Sequence, residues 1–196
     1  MILDVGRVKT YDEALRQRLL DEAGRLLAAE GISALTLRRV AASASTSTTA
    51  VYSLFGDKDQ LLTAMYTEGF TRLGRALTMA RRGGPLEALG AMGMAYRAAA
   101  LRTPQLYGLM FGRPAPSGEA QQVADAAFQP LVDGVRACLQ RGELTGGTAE
   151  GIATHLWAIS HGMVSLELAG LLGGTVRSRC NAYRDALVLS AVPFLA

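Results

Sequence analysis

Apolar residues recur three or four positions apart along nearly the whole chain, and stretches of alternating polar and β-branched residues are rare. This spacing places the apolar side chains on one face of an α-helix, which can bury that face against its neighbours. Ala and Leu, which favour helices, are abundant. The pattern predicts an all-α protein of about nine helices.

Four helices are predicted in the first 80 residues. Thr36, Ser47 and Asp57 each precede an apolar-periodic stretch, as N-cap residues do. The expected helices cover residues 10–30, 36–45, 47–55 and 57–80. Two of them are short and are joined by a turn of about three residues, a spacing that suits a helix-turn-helix.

The sequence Arg81-Arg82-Gly83-Gly84-Pro85 is the clearest break in the chain, because glycine and proline do not continue a helix easily. We expect a domain boundary there, with an N-terminal domain over 1–80 and a second domain over 84–196. The helices expected after the break cover residues 86–102, 104–111, 119–141, 149–172 and 177–194. Pro130 is expected to kink the third of these.

The predicted helix 47–55 has two distinct faces. Its apolar face carries Val51, Leu54 and Phe55. Its other face carries Thr48, Thr49, Tyr52 and Ser53. In a helix-turn-helix the second helix enters the major groove of DNA, where hydroxyls and methyl groups can meet bases or phosphates. The alternative from spacing alone is a solvated polar face on a short helix.

The charge distribution gives weak support to an anionic partner. The chain has a net charge of +3, and residues 1–82 hold the whole excess, with twelve basic and nine acidic side chains. A basic excess favours anionic partners such as nucleic acid.

Composition excludes several other classes of protein. The two cysteines, Cys138 and Cys180, exclude a disulfide framework and are expected as buried thiols. No apolar run reaches the roughly 18 residues of a membrane-spanning helix, and the N-terminus lacks a signal-peptide core. We therefore expect a cytoplasmic protein that does not bind membranes.

No metal or cofactor is expected. His155 and His161, with the nearby Glu150 and Glu167, are residues of types that bind metal ions. Their spacings of five and six do not stack on one helix face, as pairs three or four apart would.

Residues 10–80 resemble the N-terminal domain of the TetR family of transcriptional regulators. The resemblance depends on the motifs EG at 30–31, LTLRRVA at 35–41, TAVYxxF at 49–55 and KDQLL at 58–62. It implies a three-helix head that binds double-stranded DNA and a helical body that dimerises and binds an effector.

The resemblance implies DNA contacts for several of these residues. Thr36 and Arg38 match phosphate contacts, and Tyr52 matches a backbone contact. Ser47, Thr48 and Thr49 match the end of the recognition helix that enters the groove, next to the outward Ser53. Lys58 matches a further phosphate contact. A lysine at a helix N-terminus opposes the helix dipole, so its presence there independently favours an anionic partner.

The chain departs from the family pattern in and beside the turn. Ser45 stands where the family usually has a glycine, Thr46 where it usually has valine, and Ser53–Leu54 where many members have Arg-His. These changes imply fewer charged phosphate contacts. Arg7 and Lys9 could compensate as a flexible arm on DNA; the alternative is a solvated tail.

The body contains the segments 157–167 and 106–114, which resemble a subclass of TetR C-terminal domains marked by a Trp followed by His-Gly. Trp157 and His161 are four residues apart and so share a helix face. In one interpretation they line an effector pocket with Tyr96, Tyr107, Met110, Phe111 and Phe128. In the other they belong to an ordinary aromatic core. Pockets of this kind are mostly apolar, so the expected effector is a hydrophobic small molecule.

Small residues recur in the last two predicted helices, among them Gly151, Ala158, Gly162 and Ala182. They indicate either close packing within one subunit or, as the family implies, a four-helix interface in a homodimer. Such a dimer would place two recognition helices about 34 Å apart and select a pseudo-palindromic operator.

These observations favour a ligand-responsive regulator, acting as a repressor, over two rivals. An enzyme built on a helical bundle would need convergent chemistry, yet no Glu-x-x-His pair, phosphate-binding glycine loop or nucleophile elbow is present. A helical adaptor could instead bind a protein through residues 36–60.

Overall fold

A computed structural model describes the backbone of residues 5–112, 114 and 116–196, and side chains from residue 13 onward within these ranges. The described chain forms nine α-helices and no β-strand. They are α1 (Val5–Glu30), α2 (Leu37–Ser43), α3 (Thr48–Phe55), α4 (Lys58–Ala80), α5 (Pro85–Arg102), α6 (Pro104–Phe111), α7 (Glu119–Gln140), α8 (Ala149–Leu168) and α9 (Val176–Ala191). Short 3-10 turns cover Ile32–Ala34 and Val192–Phe194. The predicted all-α fold is confirmed.

The helix ends follow from local capping. The hydroxyl oxygen of Thr36 accepts from the backbone N–H of Arg39 at 3.3 Å, and that of Ser47 accepts from Ala50 at 3.1 Å. Asp57 accepts from the N–H of Gln60 at 2.8 Å. Each bond satisfies an N–H that has no partner within the first helical turn. The three predicted N-caps are thereby confirmed.

Three predicted helix boundaries are wrong. Helix α9 ends at Ala191 rather than at residue 194 and is followed by the 3-10 turn Val192–Phe194. Helix α1 begins at Val5 rather than Thr10, so the backbone at positions 7 and 9 is helical rather than a flexible arm or tail. The side chains of Arg7 and Lys9 lie outside the described residues. Helix α8 ends at Leu168 rather than at residue 172, because Gly170 adopts a left-handed conformation (φ 72°) that stops the helix.

By packing, the chain divides into two compact units. The first comprises the described residues up to Gly69 together with those of 105–121, and it therefore includes α6. Its core contains side chains of α1 to α4, among them Leu19, Val40, Val51 and Leu61. The predicted division at 80–84 into a DNA-binding and an effector-binding domain concerns function, and it stays a prediction.

The second unit comprises Phe70–Pro104 and the residues from Gln122 to the C-terminus. Within it, a buried ion triad joins α5, α8 and α9. Arg97 donates from Nε and Nη2 to the two carboxylate oxygens of Glu167, both at 2.7 Å, and Arg179 Nε donates to Glu167 at 3.1 Å. The hydrogen bonds from Arg97 lower the pKa of Glu167.

Helix α7 is continuous through Pro130. Cys138 on α7 is buried, and burial raises the pKa of its thiol to about 11. The expectation of a second buried thiol is wrong, because Cys180 on α9 is partly exposed. Within the described ranges, no helix is long and apolar enough to cross a bilayer.

We predict that Glu167→Ala lowers the free energy of unfolding by about 3–5 kcal/mol, because it leaves the buried Arg97 without its anionic partner. Glu150→Ala removes an exposed pair with Arg136 and is expected to cost less than about 1 kcal/mol. Urea denaturation at neutral pH measures both. Equal losses of unfolding free energy in the two variants would show that the ion triad does not stabilise the second unit.

The contribution of the Glu167 carboxylate to the free energy of unfolding depends on pH. Its pKa is lower in the folded than in the unfolded chain, so the stabilisation is present above the ordinary value of 4.5. It is lost as pH falls through the lower pKa of the folded state. The difference between the wild type and Glu167→Ala should therefore shrink in acid.

Candidate DNA interface and effector site

The turn between α2 and α3 depends on Ser45. Its φ of 51° lies in the left-handed region, and it is the one non-glycine residue of the described chain with a positive φ. The N–H of Thr46 donates to Ala41 at 3.0 Å and closes the turn. Serine thus keeps the conformation for which glycine is suited, at a cost of about 1 kcal/mol.

We predict that Ser45→Gly raises the free energy of unfolding by up to about 1 kcal/mol, because glycine adopts positive φ without a steric penalty. Ser45→Ala retains the side-chain clash and is the matched control, with no gain expected. Chemical denaturation compares the three proteins. A glycine variant less stable than the wild type would argue against strain at this turn.

Helix α3 presents its polar face outward. Thr48, Thr49, Tyr52 and Ser53 are exposed, and Tyr52 keeps 49% of its surface open despite its size. Val51 and Phe55 are buried in the core of the first unit. The sequence expectation about which side faces outward is therefore met. Contact between the exposed face of α3 and DNA stays a prediction.

The structure distinguishes the two adjacent arginines of α2. Arg39 forms a bidentate pair with Glu30, with Nη1 to Oε2 at 2.8 Å and Nη2 to Oε1 at 2.5 Å. This pairing lowers the pKa of Glu30. Arg38 is exposed and has no ion pair among the described residues. Sequence alone could not show which guanidinium remains available to an anion.

Lys58 is partly buried at the first turn of α4, and its Nζ donates to the carbonyl of Ile32 at 3.1 Å. That carbonyl lies in the 3-10 turn before α2, so the bond positions the ammonium near the segment that ends at Thr36. An ammonium has three donors, and this contact uses one of them. The sequence did not anticipate the contact.

Helix α6 packs against the core of the first unit. Leu109 is buried in that core, and Leu106 packs against it. The backbone of α4 approaches α6 closely at Gly69, where an added Cβ would lie 2.6 Å from Met110 Sδ. The sequence boundary at 80–84 did not reveal that α6 shares a core with the helix-turn-helix.

Four of the seven predicted effector residues come together in the second unit. Trp157 Nε1 donates to the hydroxyl of Tyr96 at 3.3 Å, and that hydroxyl lies 3.1 Å from His161 Nδ1. The Trp157 ring lies 5.6 Å from Phe128 and 5.9 Å from His161, centroid to centroid. Burial lowers the pKa of His161, so its neutral form is favoured.

The indole N–H can only donate, so the oxygen of Tyr96 accepts from Trp157. The direction of the hydrogen bond between the Tyr96 hydroxyl and His161 Nδ1 depends on the tautomer of His161.

The other three predicted effector residues belong to α6, in the first unit. Tyr107 and Met110 are buried and Phe111 is partly exposed. The rings of Tyr107 and Phe111 lie 4.7 Å apart. Effector binding by any of the seven stays a prediction.

The second unit exposes large apolar side chains on and next to its last two helices. They are Leu166, Leu171, Val176, Val188, Leu189, Val192 and Leu195. Large apolar side chains exposed in this number are candidates for an interface.

No metal centre is assembled in the part of the chain that the structure describes, where no group of three or more His, Cys, Asp or Glu side chains could hold an ion. The ring of His155 instead lies against Phe194, 5.2 Å away.

Two family models match the chain. Residues 19–65 match the model described as bacterial regulatory proteins of the tetR family, and residues 89–189 match a tetracyclin repressor-like C-terminal domain. The second match alone covers more than half of the chain. These matches do not identify the Trp-His-Gly subclass, which stays a prediction.

Curated relatives include the HTH-type transcriptional regulator Rv1816 of Mycobacterium tuberculosis, 24% identical over 144 residues. That alignment covers 67% of this chain and 62% of the relative, so the chain spans less than two thirds of the relative's length. The nicotine-responsive repressor HdnoR of Paenarthrobacter nicotinovorans is 35% identical over 71 residues, 36% of each chain.

Solved structures agree in fold. A protein of unknown function from Rhodococcus sp. RHA1 is 29% identical with a TM-score of 0.79, over 90% of this chain and 95% of that one. A TetR regulator from Haloarcula marismortui has a TM-score of 0.77 at 19% identity, over 94% and 100% of the two chains, which shows the fold alone. With both family models matched in order along an all-α fold, the chain belongs to the TetR family of bacterial regulatory proteins.

Proposed function

We propose that this protein is a ligand-responsive repressor rather than an enzyme, and that its homodimer binds a pseudo-palindromic operator in double-stranded DNA. Binding of a hydrophobic small molecule to the body would release the repressor from its operator. The observation that carries the proposal is the exposed polar face of α3, opposite a buried apolar face. On α2, Arg38 is exposed and has no ion pair among the described residues.

Contacts to the phosphate backbone would provide most of the affinity. Arg38 is exposed and unpaired among the described residues, and Lys58 keeps donors beyond its bond to Ile32. Thr36 and Tyr52 are also exposed, and their hydroxyls can donate hydrogen bonds to phosphate. Neutralising phosphates releases counterions, so this part of the affinity falls as salt rises.

The dimer would form through α8 and α9. Their exposed apolar side chains have no cover within the described chain, and an interface of two helices from each subunit would bury them. A twofold-related pair of α3 helices then selects a pseudo-palindrome, because each copy faces an equivalent half-site.

The effector would contact the aromatic cluster of Tyr96, Phe128, Trp157 and His161 in the body. Separately, within the first unit, Tyr107, Met110 and Phe111 of α6 are proposed as ligand contacts. Helix α6 shares a core with the helix-turn-helix, so a ligand that favours one arrangement of α6 would also bias that core. A ligand shifts such an equilibrium only through its difference in affinity for the two states.

We predict that Arg38→Ala weakens DNA binding and reduces the slope of log affinity against log salt by about one, because one phosphate contact is lost. Lys58→Ala should have the same effect on the slope. Arg39→Ala is the matched control, since Glu30 already holds that guanidinium. Gel-shift titrations over a range of salt concentrations measure the slopes.

Two outcomes would contradict this assignment. Equal changes in slope for Arg38→Ala and Arg39→Ala would show that the free guanidinium has no special role. Binding by the wild type that does not depend on salt would favour the helical adaptor over a DNA-binding protein.

We predict that Leu189→Glu converts the dimer to monomer and weakens operator binding at least tenfold, because a charge would be buried at the interface. Leu189 is 68% exposed in the single chain, so the substitution should not unfold it. Met79→Glu alters an apolar residue of α4 that is 71% exposed and serves as control. Sedimentation and gel shifts report the two effects. A Leu189→Glu protein that stays dimeric would place the interface elsewhere.

A further inference from the structure

We propose that α3 recognises its half-site through the methyl groups of thymine, with Thr48 and Thr49 as the specificity-determining residues. This inference depends on the proposed DNA-binding function and adds the chemistry that the recognition helix selects. Both threonines lie in the first turn of α3 and are exposed. Residues in that turn are the ones that reach base edges in a helix-turn-helix.

The side chains available in this unit leave few other ways to recognise bases. Between Ala44 and Gly56 the chain contains no charged, amide or imidazole side chain. Guanine is usually recognised by Arg or Lys, adenine by Asn or Gln, and cytosine by Asp or Glu. None of these groups can come from α3 or from the turn before it.

The arginines of α2 do not replace them. Arg39 is held by Glu30 through two hydrogen bonds, and Arg38 is the proposed phosphate contact. The hydroxyl of Ser47 accepts from the N–H of Ala50 and caps the helix. Hydroxyls and methyl groups on the exposed face of α3 therefore remain for contact with base edges.

Threonine suits a thymine methyl better than the other hydroxyl residues on this face. A threonine methyl makes apolar contact with the C5-methyl of thymine, which no other standard DNA base carries. β-Branching restricts χ1 in a helix, so the threonine methyl is held in few positions before DNA arrives. Serine lacks that methyl group, and its hydroxyl can bond to any base, so Ser53 cannot distinguish thymine in this way.

The inference has a direct consequence for modified DNA. 5-Methylcytosine carries the same methyl group at the same ring position as thymine. Cytosine placed opposite Thr48 or Thr49 should therefore bind more tightly when it is methylated at C5.

The experiment begins with selection of binding sites from a randomised duplex library by the full-length protein. Each thymine of the selected duplex is then replaced in turn by 2′-deoxyuridine, which lacks only the methyl group. We expect one or more thymines of each half-site to lose about fourfold in affinity, the value of roughly one buried methyl group. Thymines outside the α3 contact should show no change.

Variants of the protein assign the effect to a residue. Thr49→Ser removes the methyl group and keeps the hydroxyl. At the base that Thr49 contacts, this variant should bind the thymine duplex and the deoxyuridine duplex equally, so the ratio of the two affinities should fall to one. Thr49→Val keeps the methyl and removes the hydroxyl, so the ratio should persist. The same pair at Thr48 tests the neighbouring position. Arg39→Ala, at a guanidinium that Glu30 already holds, is the control that should leave every ratio unchanged. Circular dichroism confirms that each variant is folded.

The outcomes separate this inference from the function on which it depends. If selection enriches no sequence and binding does not depend on salt, DNA binding itself is wrong. If the protein binds its selected site tightly but deoxyuridine has no effect anywhere, methyl recognition is wrong and DNA binding stands. If the deoxyuridine effect is unchanged in both Thr48→Ser and Thr49→Ser, the assignment to these two residues is wrong.

Discussion

Burial of Val51 and Phe55 determines which way α3 faces, and the proposed DNA interface depends on that orientation. Both side chains lie in the core of the first unit, so the opposite face of the helix must point outward. The left-handed turn at Ser45 gives α3 the direction it needs to bury them. A strained backbone is kept here because the apolar contacts that it permits are worth more than the roughly 1 kcal/mol it costs.

Sharing a core can make a DNA-binding unit responsive to events elsewhere in the chain. Helix α6 contributes Leu109 to the core that also holds the inner face of α3. Interiors are packed closely, so a displaced helix changes the positions of its neighbours rather than leaving a gap. A regulator of this design needs no separate transmitting element between α6 and the helix-turn-helix, since the two already pack together.

Local features of the sequence predicted the helices well, because capping and periodicity are decided within a few residues. Thr36 and Ser47 begin their helices as expected. Contacts between distant residues could not be predicted in the same way. Nothing in the motif around Arg38 and Arg39 shows that Glu30 takes only the second, since that choice depends on how α1 and α2 pack. The burial of Glu167 between two arginines likewise requires three helices to meet.

The different environments of Arg38 and Arg39 also affect how affinity and selectivity are divided between contacts to phosphate and contacts to bases. A guanidinium contributes similarly to binding at every sequence when it meets phosphate, because the backbone is the same throughout. In the proposed complex, the pairing of Arg39 with Glu30 would keep a second guanidinium from phosphate and so limit binding to arbitrary sequences. A recognition helix without charge then adds little sequence-independent attraction. The weak contacts of its hydroxyl and methyl groups can therefore account for a larger share of the discrimination between sites.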